Sequence, residues 1–279
     1  MNDSFDVIVI GAGPAGENAA GRCADGGLSV AIVEREKVGG ECSYWGCMPS
    51  KALLRPGDVV AAARRVPGAA EAVTGPIAVD AALAWRDSVA GNWDDSGQVP
   101  WLEEKKITLV RGVGRLAGEN TVEVEAPDGG VRRLTAGKAV VVATGTKPVI
   151  PPIPGLAEAR PWDNRSVTAT KDIPRRLLVL GGGAIGAEMA QAMRRLGSEE
   201  VTVVEDRDRL LRMEEPFAGH EVKEAFEAEG IRVITGAKMT EVDRPPGAAP
   251  LRATLDGGTV IEADEILVAV GRKPNTGDL

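Results

Sequence analysis

The sequence predicts an α/β fold built from two similar halves, and three features support this prediction. Two glycine-rich segments, GAGPAG at residues 11–16 and GGGAIG at residues 181–186, each follow a short apolar stretch and precede a helical one. Each is then followed by a second apolar stretch that ends on a glutamate. The chain of 279 residues is long enough for two domains that each bury a core.

The composition indicates a soluble globular protein. Hydrophobic residues make up 43% of the chain and charged residues 27%, which excludes the disordered and fibrous classes. The net charge of −8 leaves no basic surplus, so we expect no nucleic-acid partner and no binding to an acidic membrane surface. The N-terminus does not have a signal-peptide pattern, and no stretch reaches the ~18 apolar residues of a membrane span. The expected location is the cytoplasm.

The first glycine-rich segment has the spacing of a dinucleotide-binding fingerprint. The apolar run DVIVI at residues 6–10 predicts a buried strand, and an alanine-rich helical stretch follows the glycines. Gly11, Gly13 and Gly16 match the glycines for a tight turn, for approach of a pyrophosphate and for close helix–strand packing. The next strand ends on Glu34, 23 residues after the first glycine, where an acidic residue binds a ribose hydroxyl. A glycine turn beside a solvated glutamate is the alternative interpretation.

The same pattern recurs in the second half. The apolar run RLLVL leads into Gly181, Gly183 and Gly186, an amphipathic helix and a strand that ends on Glu205, 24 residues after the first of these glycines. Two complete fingerprints 170 residues apart make chance a poor explanation. The sequence therefore predicts two Rossmann-like units, each with a central parallel sheet and a bound dinucleotide.

Proline marks the boundary between the halves. Charged helical segments occupy residues 52–105, and short strands follow up to the stretch KPVIPPIPGL. Its four prolines can continue neither a helix nor a central strand, so we place a domain boundary near residues 149–158. Beyond Glu205 the sequence predicts a helix and further strands that end at Gly271.

Two of the three cysteines lie in the stretch GGECSYWGCMPSK at residues 39–51. With one histidine and a third cysteine, Cys23, in a separate early segment, a closed zinc site is hard to assemble, so we expect no metal. Cysteine pairs at short spacing in intracellular proteins are more often catalytic than structural. On an ideal helix Cys42 and Cys47 would lie on different faces, so a bond between them requires an irregular chain at the neighbouring glycines.

A helix that begins near Cys47 would stabilise a thiolate on that residue. Lys51 lies four positions further on and on the same helical face, and the helix N-terminus supplies a second favourable partial charge. We therefore expect Cys47 to be the more stable thiolate of the pair. Two small buried thiols beside a turn is the alternative interpretation.

Five motifs, in order, resemble those of the class I pyridine nucleotide-disulfide oxidoreductases, a family that includes dihydrolipoamide dehydrogenase, glutathione reductase and mercuric reductase. They are the first fingerprint, the Cys-x4-Cys motif, VVVATGTKPVIPPIPG, the second fingerprint and ILVAVGRKPNT. Among these enzymes the sequence most resembles dihydrolipoamide dehydrogenase. Ala184 stands where glutathione reductases have a gating tyrosine, which disfavours that subtype.

The resemblance implies two cofactor domains. Residues 1–150 would bind FAD and carry the redox cysteines, residues 151–270 would bind NAD(P), and residues 271–279 would start the return into the FAD domain. The residues implied for FAD are Gly11, Gly13, Gly16, Glu34, Gly40, Lys51, Gly114, Ala143, Thr144 and Gly145. Those implied for the nicotinamide dinucleotide are Gly181, Gly183, Gly186, Glu205 and Gly271.

The resemblance also implies the catalytic residues. Cys47 would contact the flavin as the charge-transfer thiolate, and Cys42 would exchange with the substrate disulfide. Lys51 would pair with Glu188 beside the flavin N5.

Two parts of the sequence bear on specificity. Glu205 at the strand end favours NAD, while Arg207 and Arg209 leave NADP open as the alternative. In the redox motif, Glu41 replaces the threonine of the family pattern, and Ser-Tyr-Trp at residues 43–45 replaces small or aliphatic residues. An unusual substrate is one expectation from this change.

The family pattern continues after the equivalent of Leu279 with a Gly-Asp motif for FAD and an interface domain. That domain carries a His-Glu pair, which acts across the dimer as the acid-base catalyst. We therefore expect an incomplete FAD domain in a truncated chain, and a homodimer for the intact fold. His220 lies in the predicted helix of the second half and is not a substitute.

The expected function is an FAD-dependent oxidoreductase that passes electrons between NAD(H) and a disulfide or dithiol through a Cys42–Cys47 disulfide. The expected partner is a small-molecule or lipoyl-type disulfide. The alternatives are an NAD(P)H-dependent quinone or dye reductase, a reductase of mercuric ion or low-molecular-weight disulfides, and an inactive nucleotide-binding fragment.

Overall fold

The structure of the protein is a computed structural model, which describes residues 3–245 and 250–279. The chain forms two compact units, each assembled from segments that are separate in sequence. The segments of the first unit are the chain up to Met48, Ala90–Lys147 and Lys273–Leu279. The segments of the second unit are Pro49–Val89 and Pro148–Arg272. The cofactor domains expected at residues 1–150, 151–270 and 271–279 stay a prediction.

The chain folds into the following helices and strands. The α-helices are α1 (Pro14–Asp25), α2 (Gly40–Tyr44), α3 (Cys47–Arg64), α4 (Val79–Val89), α5 (Val99–Glu104), α6 (Asn164–Ala169), α7 (Ala184–Leu196) and α8 (Pro216–Ala228). The strands are β1 (Ser4–Ile10), β2 (Val30–Glu34), β3 (Thr108–Arg111), β4 (Val113–Leu116), β5 (Thr121–Glu125), β6 (Val131–Val142), β7 (Thr146–Pro148), β8 (Arg176–Leu180), β9 (Glu200–Glu205), β10 (Ile231–Thr235), β11 (Met239–Asp243), β12 (Leu251–Leu255), β13 (Val260–Ala263), β14 (Glu265–Val268) and β15 (Arg272–Pro274). Within residues 3–245 and 250–279, no helix has the length and apolar character needed to cross a membrane.

The first unit is built on a six-stranded sheet with the order β3-β2-β1-β6-β5-β4. Its centre, from β3 to β6, is parallel, as predicted, whereas β4 and β5, which were predicted as short strands without an orientation, pair antiparallel. Only five residues separate β5 from β6, and a connection of that length joins antiparallel strands because a parallel crossover needs a dozen residues or more.

Both faces of this sheet are covered, which explains why its central strands are apolar throughout. Ile8 of β1 and Val33 of β2 belong to a core cluster on one face. Val9 and Ile32 point the other way and pack in a second cluster with Leu102 of α5. Alternating side chains of a strand face opposite sides, so a strand buried on both sides reads as an unbroken apolar run.

The second unit repeats the strand order of the first. Its main sheet has the order β10-β9-β8-β14, and all its strands are parallel. In both sheets the first strand is central, with the second and third on one side and a later strand on the other, which is the doubly wound order. A small antiparallel sheet, β11-β12-β13, shares a core cluster with this main sheet. The predicted α/β fold with two Rossmann-like units is confirmed.

A fully buried arginine fixes helix α6 in the second unit. Arg86 of α4 has no exposed surface, and its guanidinium donates to the carbonyl oxygens of Thr168 at 2.5 Å and Thr170 at 2.8 Å. Its Nε donates to Asp87 Oδ1 at 2.8 Å. These carbonyls lie at the C-terminus of α6, where backbone acceptors lack partners within the helix and a cation is favourable.

We expect Arg86→Met to lower the free energy of unfolding by about 2–4 kcal/mol, because it leaves buried carbonyls without a donor. Lys171→Met is the matched control, since Lys171 pairs with the same Asp87 at 2.8 Å but its side chain is 65% exposed. This control should change the free energy by less than about 1 kcal/mol. Urea titration measures both, and equal losses in the two variants would contradict this role for Arg86.

Candidate functional site

The first fingerprint forms a tight turn between β1 and α1 that only glycine permits. Gly11 has φ +103°, and a Cβ there would lie 2.3 Å from the carbonyl oxygen of Ala143. A Cβ on Gly16 would lie 1.8 Å from the oxygen of Gly11. Gly13, the N-cap of α1, differs, because the nearest atom to an added Cβ is the Cα of Gly40 at 3.9 Å. Backbone atoms therefore leave no room for a side chain at Gly11 or Gly16, whereas the space next to Gly13 is uncrowded.

The second fingerprint repeats this geometry between β8 and α7. Gly181 has φ +110°, and a Cβ there would lie 2.5 Å from the oxygen of Ala269. A Cβ on Gly186 would lie 2.0 Å from the oxygen of Gly181. Gly183, the N-cap of α7, has no atom within 4 Å of an added Cβ. Both helices therefore present an uncrowded N-terminus with no side-chain cap, which is a site for an anionic phosphate.

The two glutamates that end β2 and β9 make equivalent contacts. Glu34 Oε2 accepts a hydrogen bond from the Ala12 N–H at 2.7 Å, and Glu205 Oε2 accepts one from the Gly182 N–H at 2.7 Å. Each carboxylate is therefore held against its own fingerprint loop. A carboxylate has about four lone-pair sites, so acceptor capacity remains for ribose hydroxyls.

The first residues of the cysteine motif, GGECSYWGCMPSK, lie directly against the first fingerprint. The Gly39 N–H donates to the Ala12 oxygen at 2.8 Å. A Cβ on Gly40, which has φ +56°, would lie 2.8 Å from the Cα of Gly13. Glycine at residue 40 thus allows the backbone of the cysteine motif to touch the loop expected to bind the pyrophosphate.

The two cysteines lie at a break between two helices. Cys42 is on the five-residue α2, and Cys47 is the first residue of α3, so the chain is irregular between them as a bond would require. Both are thiols, with Cys42 half-buried and Cys47 exposed. Burial and then the hydrogen bond with Cys47 raise the pKa of Cys42 to about 11. Cys42 therefore holds its proton at neutral pH.

A residue near the end of the chain fixes the Ala143-Thr144-Gly145 segment. Asn275 Nδ2 donates to the Thr144 oxygen at 3.0 Å, and the Thr144 hydroxyl donates to the Asn275 oxygen at 2.7 Å. The Asn275 N–H also donates to the Gly145 oxygen at 3.0 Å. The sequence analysis did not select Asn275, whose only signal was its place in the GRKPNT motif.

Gly114, another residue expected at the first site, is part of β4. A Cβ on Gly114 would lie 3.1 Å from Val33 and 3.2 Å from Ile10, at the ends of β2 and β1. The structure thus brings Gly114 to the edge where the first fingerprint begins.

In the second unit, the predicted pair Lys51 and Glu188 is an ion pair. Lys51 Nζ contacts Glu188 Oε1 at 2.6 Å and Oε2 at 2.8 Å, and the Ser50 hydroxyl donates to Oε2 at 3.2 Å. Lys51 is on α3 and Glu188 on α7. The side chains are 60% and 34% exposed, so this pair contributes little to stability by itself. Its role beside a flavin stays a prediction.

A second ion pair joins the same two helices. Arg195 of α7 contacts Asp58 of α3 at 2.5 Å and Glu229 at 2.6 Å. A Cβ on Gly57 would lie 2.6 Å from Arg195 Cδ, so glycine leaves room for the arginine side chain. These contacts were not predicted, because they join residues far apart in sequence.

Two other residues of the second unit were selected from the sequence, His220 and Gly271. His220 is exposed on α8, as expected. Gly271 has φ +138° and accepts a hydrogen bond from the Val149 N–H at 3.0 Å. Within residues 3–245 and 250–279, no three His, Cys, Asp or Glu side chains are grouped as metal ligands.

Comparison with known proteins identifies the family. The family model described as "Pyridine nucleotide-disulphide oxidoreductase" matches residues 5–279. The chain therefore belongs to the pyridine nucleotide-disulphide oxidoreductase family, which confirms the resemblance.

Relatives in the family carry two different names. The chain is 38% identical to a dihydrolipoyl dehydrogenase of Chlorobaculum tepidum over 272 residues, 96% of this chain and 57% of that protein. It is 32% identical to a mercuric reductase of Staphylococcus aureus over 277 residues, 99% of this chain and 49% of that protein. The chain thus spans about half the length of the curated relatives it matches.

A solved structure has the same fold. The Cu(II) complex of the HOCl-induced flavoprotein disulfide reductase RclA from Escherichia coli superposes with a TM-score of 0.84 at 24% identity. The match covers 100% of this chain and 59% of that one.

The difference between the two thiols is directly testable. In reduced protein at about pH 8, we expect iodoacetamide to alkylate Cys47 before Cys42, because thiolate is the nucleophile and Cys42 is protonated and half-buried. The alkylation rate of Cys42 should rise with pH to a midpoint near 11. Peptide mass spectrometry measures both sites.

The same pKa predicts a loss of stability at alkaline pH. A thiol whose folded-state pKa is raised stabilises the fold below its ordinary value of 9.0, and this contribution disappears as the pH rises to about 11. In Cys47→Ala the Cys42 midpoint should fall, because one cause of the shift is removed. A wild-type midpoint near 9 would contradict this account.

Proposed function

We propose that the chain functions as an FAD-dependent oxidoreductase that passes electrons between NAD(H) and a disulfide or dithiol through Cys42 and Cys47. The observation that carries this proposal is the position of the cysteine motif against the first fingerprint loop. The Gly39 N–H bonds the Ala12 oxygen at 2.8 Å. A dinucleotide on that loop would therefore be held beside a redox-active pair.

The shape of both loops fits a dinucleotide. An added Cβ at Gly13 or Gly183 would enter open space in front of an uncapped helix N-terminus, which leaves that space to a pyrophosphate. The carboxylates of Glu34 and Glu205 lie at the strand ends where they can accept from ribose hydroxyls. We assign FAD to the first loop, because the cysteine pair belongs to the same unit. FAD, when bound, would supply a two-electron carrier between nicotinamide and disulfide.

Charges at the second loop favour NAD over NADP. Glu205 lies where a 2′-phosphate would be repelled. The guanidinium of Arg209 donates to the carbonyl oxygens of Arg212 at 3.0 Å and Glu214 at 3.1 Å, and Arg207 contacts Asp206 at 3.3 Å. Both arginines thus have partners other than a nucleotide phosphate.

The cysteines would complete the reaction by thiol–disulfide exchange. Reduction of the Cys42–Cys47 disulfide takes two electrons and two protons and gives two thiols. Cys42, as thiolate, attacks one sulfur of a substrate disulfide. A mixed disulfide forms between Cys42 and that sulfur, and the other substrate sulfur leaves as a thiol. Cys47 then attacks the Cys42 sulfur, which restores the protein disulfide and releases the second substrate thiol. The raised pKa of Cys42 means that it must first lose a proton to a base.

The substrate class follows from this chemistry. We propose a lipoyl-type or other small disulfide, consistent with the dihydrolipoyl dehydrogenases among the relatives. Mercuric ion is the second candidate, because relatives named mercuric reductase match over the same residues and thiols bind soft metal ions. We also propose that the protein acts in the cytoplasm, where such thiols are kept reduced.

The proposal predicts that NADH reduces the cysteine pair only when FAD is bound. Oxidised protein with FAD is mixed anaerobically with NADH, quenched with iodoacetamide and analysed by mass spectrometry of the peptide that contains Cys42 and Cys47. We expect two alkyl groups on this peptide with FAD and none without it. NADPH should act about tenfold or more slowly.

Matched cysteine variants control this experiment. Cys23→Ser should behave as wild type, because Cys23 lies on α1, outside the motif. Cys42→Ser and Cys47→Ser should lose turnover with lipoamide. If NADH is oxidised while the peptide keeps its disulfide, the protein is a quinone or dye reductase instead. Rapid consumption of mercuric ion without lipoamide turnover would select the second candidate.

A further inference from the structure

A short segment that precedes α5 is bonded to the redox motif. We call residues 92–98, Asn-Trp-Asp-Asp-Ser-Gly-Gln, the strap. Two of its residues, Asn92 and Trp93, have positive φ values of 50° and 63°, which non-glycine residues seldom adopt. Such a backbone persists only where surrounding contacts hold it, and at this position those contacts reach the cysteine motif.

The Asp95 carboxylate is the centre of these contacts. Its Oδ2 accepts from the Val38 N–H at 2.7 Å, immediately before Gly39. The same oxygen pairs with Arg111 of β3 at 2.6 Å. The Asp95 side chain is only 16% exposed. Burial raises its pKa, but the bonds from Arg111 and Val38 outweigh burial and leave the pKa lowered, so Asp95 is charged at neutral pH.

Lys37 and Tyr44 connect the strap to the chain before and after Cys42. Lys37 Nζ donates to the Trp93 oxygen at 2.5 Å and lies 5.6 Å from the centroid of the Tyr44 ring. Tyr44, the last residue of α2, is 2% exposed, and its hydroxyl donates to the Asp94 oxygen at 3.4 Å. The strap therefore contacts the chain on both sides of Cys42.

Tyr44 is suited to a structural contact and not to proton transfer. Burial, then the charges of Asp95 and Asp94, raise its pKa to about 12. Its hydroxyl is thus a permanent donor at neutral pH. Tyr44 is a large aromatic residue where the family pattern has a smaller one. Its buried ring therefore gives the strap a side chain to contact at this position.

We propose that Asp95 and Tyr44 are positioning residues that hold α2 against the strap and thereby keep Cys42 half-buried. The proposal deepens the proposed function, on which it rests, because Cys42 is the thiol assigned to substrate exchange. The strap contacts hold Tyr44 at the C-terminal end of α2, a helix of five residues, while the bond from Gly39 to the fingerprint loop holds its N-cap. A five-residue helix is not stable by itself.

Release of α2 has a measurable consequence at the sulfur. Burial is the main cause of the raised pKa of Cys42, followed by Cys47 of α3, while Glu17 of α1 contributes with the same sign. Glu41 lies beside Cys42 on α2 itself. If the strap contacts are lost, exposure of Cys42 increases and its pKa falls towards the ordinary value.

The test is the alkylation rate of Cys42 in the reduced chain of 279 residues, measured with iodoacetamide across pH. We expect Asp95→Ala to raise the rate at neutral pH about fivefold or more and to lower the pH midpoint, because more thiolate is present. Asp95→Asn should restore a rate near wild type, since an amide oxygen can still accept from the Val38 N–H.

Asp94→Ala is the matched control. The Asp94 carboxylate accepts hydrogen bonds within the strap, from the N–H of Ser96 at 3.1 Å and from its hydroxyl at 2.8 Å. We expect its rate to stay within about twofold of wild type. Lys37→Met is the second variant and should shift the rate in the same direction as Asp95→Ala.

The outcomes separate the possible explanations. If Asp95→Ala and Lys37→Met lower the melting temperature but leave the Cys42 pH profile unchanged, the strap only stabilises the fold and the proposal is wrong. Equal shifts in Asp94→Ala and Asp95→Ala would also overturn it. Because the protein is reduced with dithiothreitol beforehand, the result does not depend on NADH-driven reduction, whose failure would instead reject the proposed function.

Discussion

The contact between the first fingerprint loop and the cysteine motif is the constraint on which the rest of the site depends. The backbone of Gly40 lies so close to that of Gly13 that a Cβ on Gly40 would be 2.8 Å from the Gly13 Cα, and the hydrogen bond from Gly39 to Ala12 holds the two segments together. A loop that can hold a phosphate is thereby bonded to the segment that carries Cys42. The fold supplies this juxtaposition because β1, α1 and α2 belong to one unit.

Local electrostatics then makes the two thiols unequal. The sequence predicted that a helix N-terminus and Lys51 would favour a thiolate on Cys47. In the structure, the difference between the two thiols comes from Cys42, because burial raises the pKa of this residue to about 11. A half-buried thiol that keeps its proton is protected from adventitious reaction. The strap extends this account, since Asp95 and Tyr44 act on the burial of Cys42 rather than on its charge.

Features coded by neighbouring residues could be predicted, whereas features that join distant residues could not. Both fingerprints were predictable because the turn needs glycines at fixed spacing, and Gly11 and Gly181 have the expected positive φ. The pairing of Lys51 with Glu188, 137 residues apart, came only from the family resemblance. Contacts of Asp95 and Asn275 were missed because each joins residues far apart in sequence: Asp95 lies in a stretch typical of an ordinary polar loop, and the motif that contains Asn275 does not indicate its partner.

The central claim is that the fingerprint loop and the cysteine motif form one functional site, and Gly40→Ala tests it most directly. A Cβ at this position would lie 2.8 Å from the Gly13 Cα. We expect bound FAD and NADH-driven reduction of the cysteine pair to be lost together. Gly27→Ala is the control, because Gly27 also has positive φ, +81°, but no atom within 4 Å of an added Cβ; it should retain both. A Gly40→Ala protein that binds FAD and reduces the pair at the wild-type rate would contradict the claim.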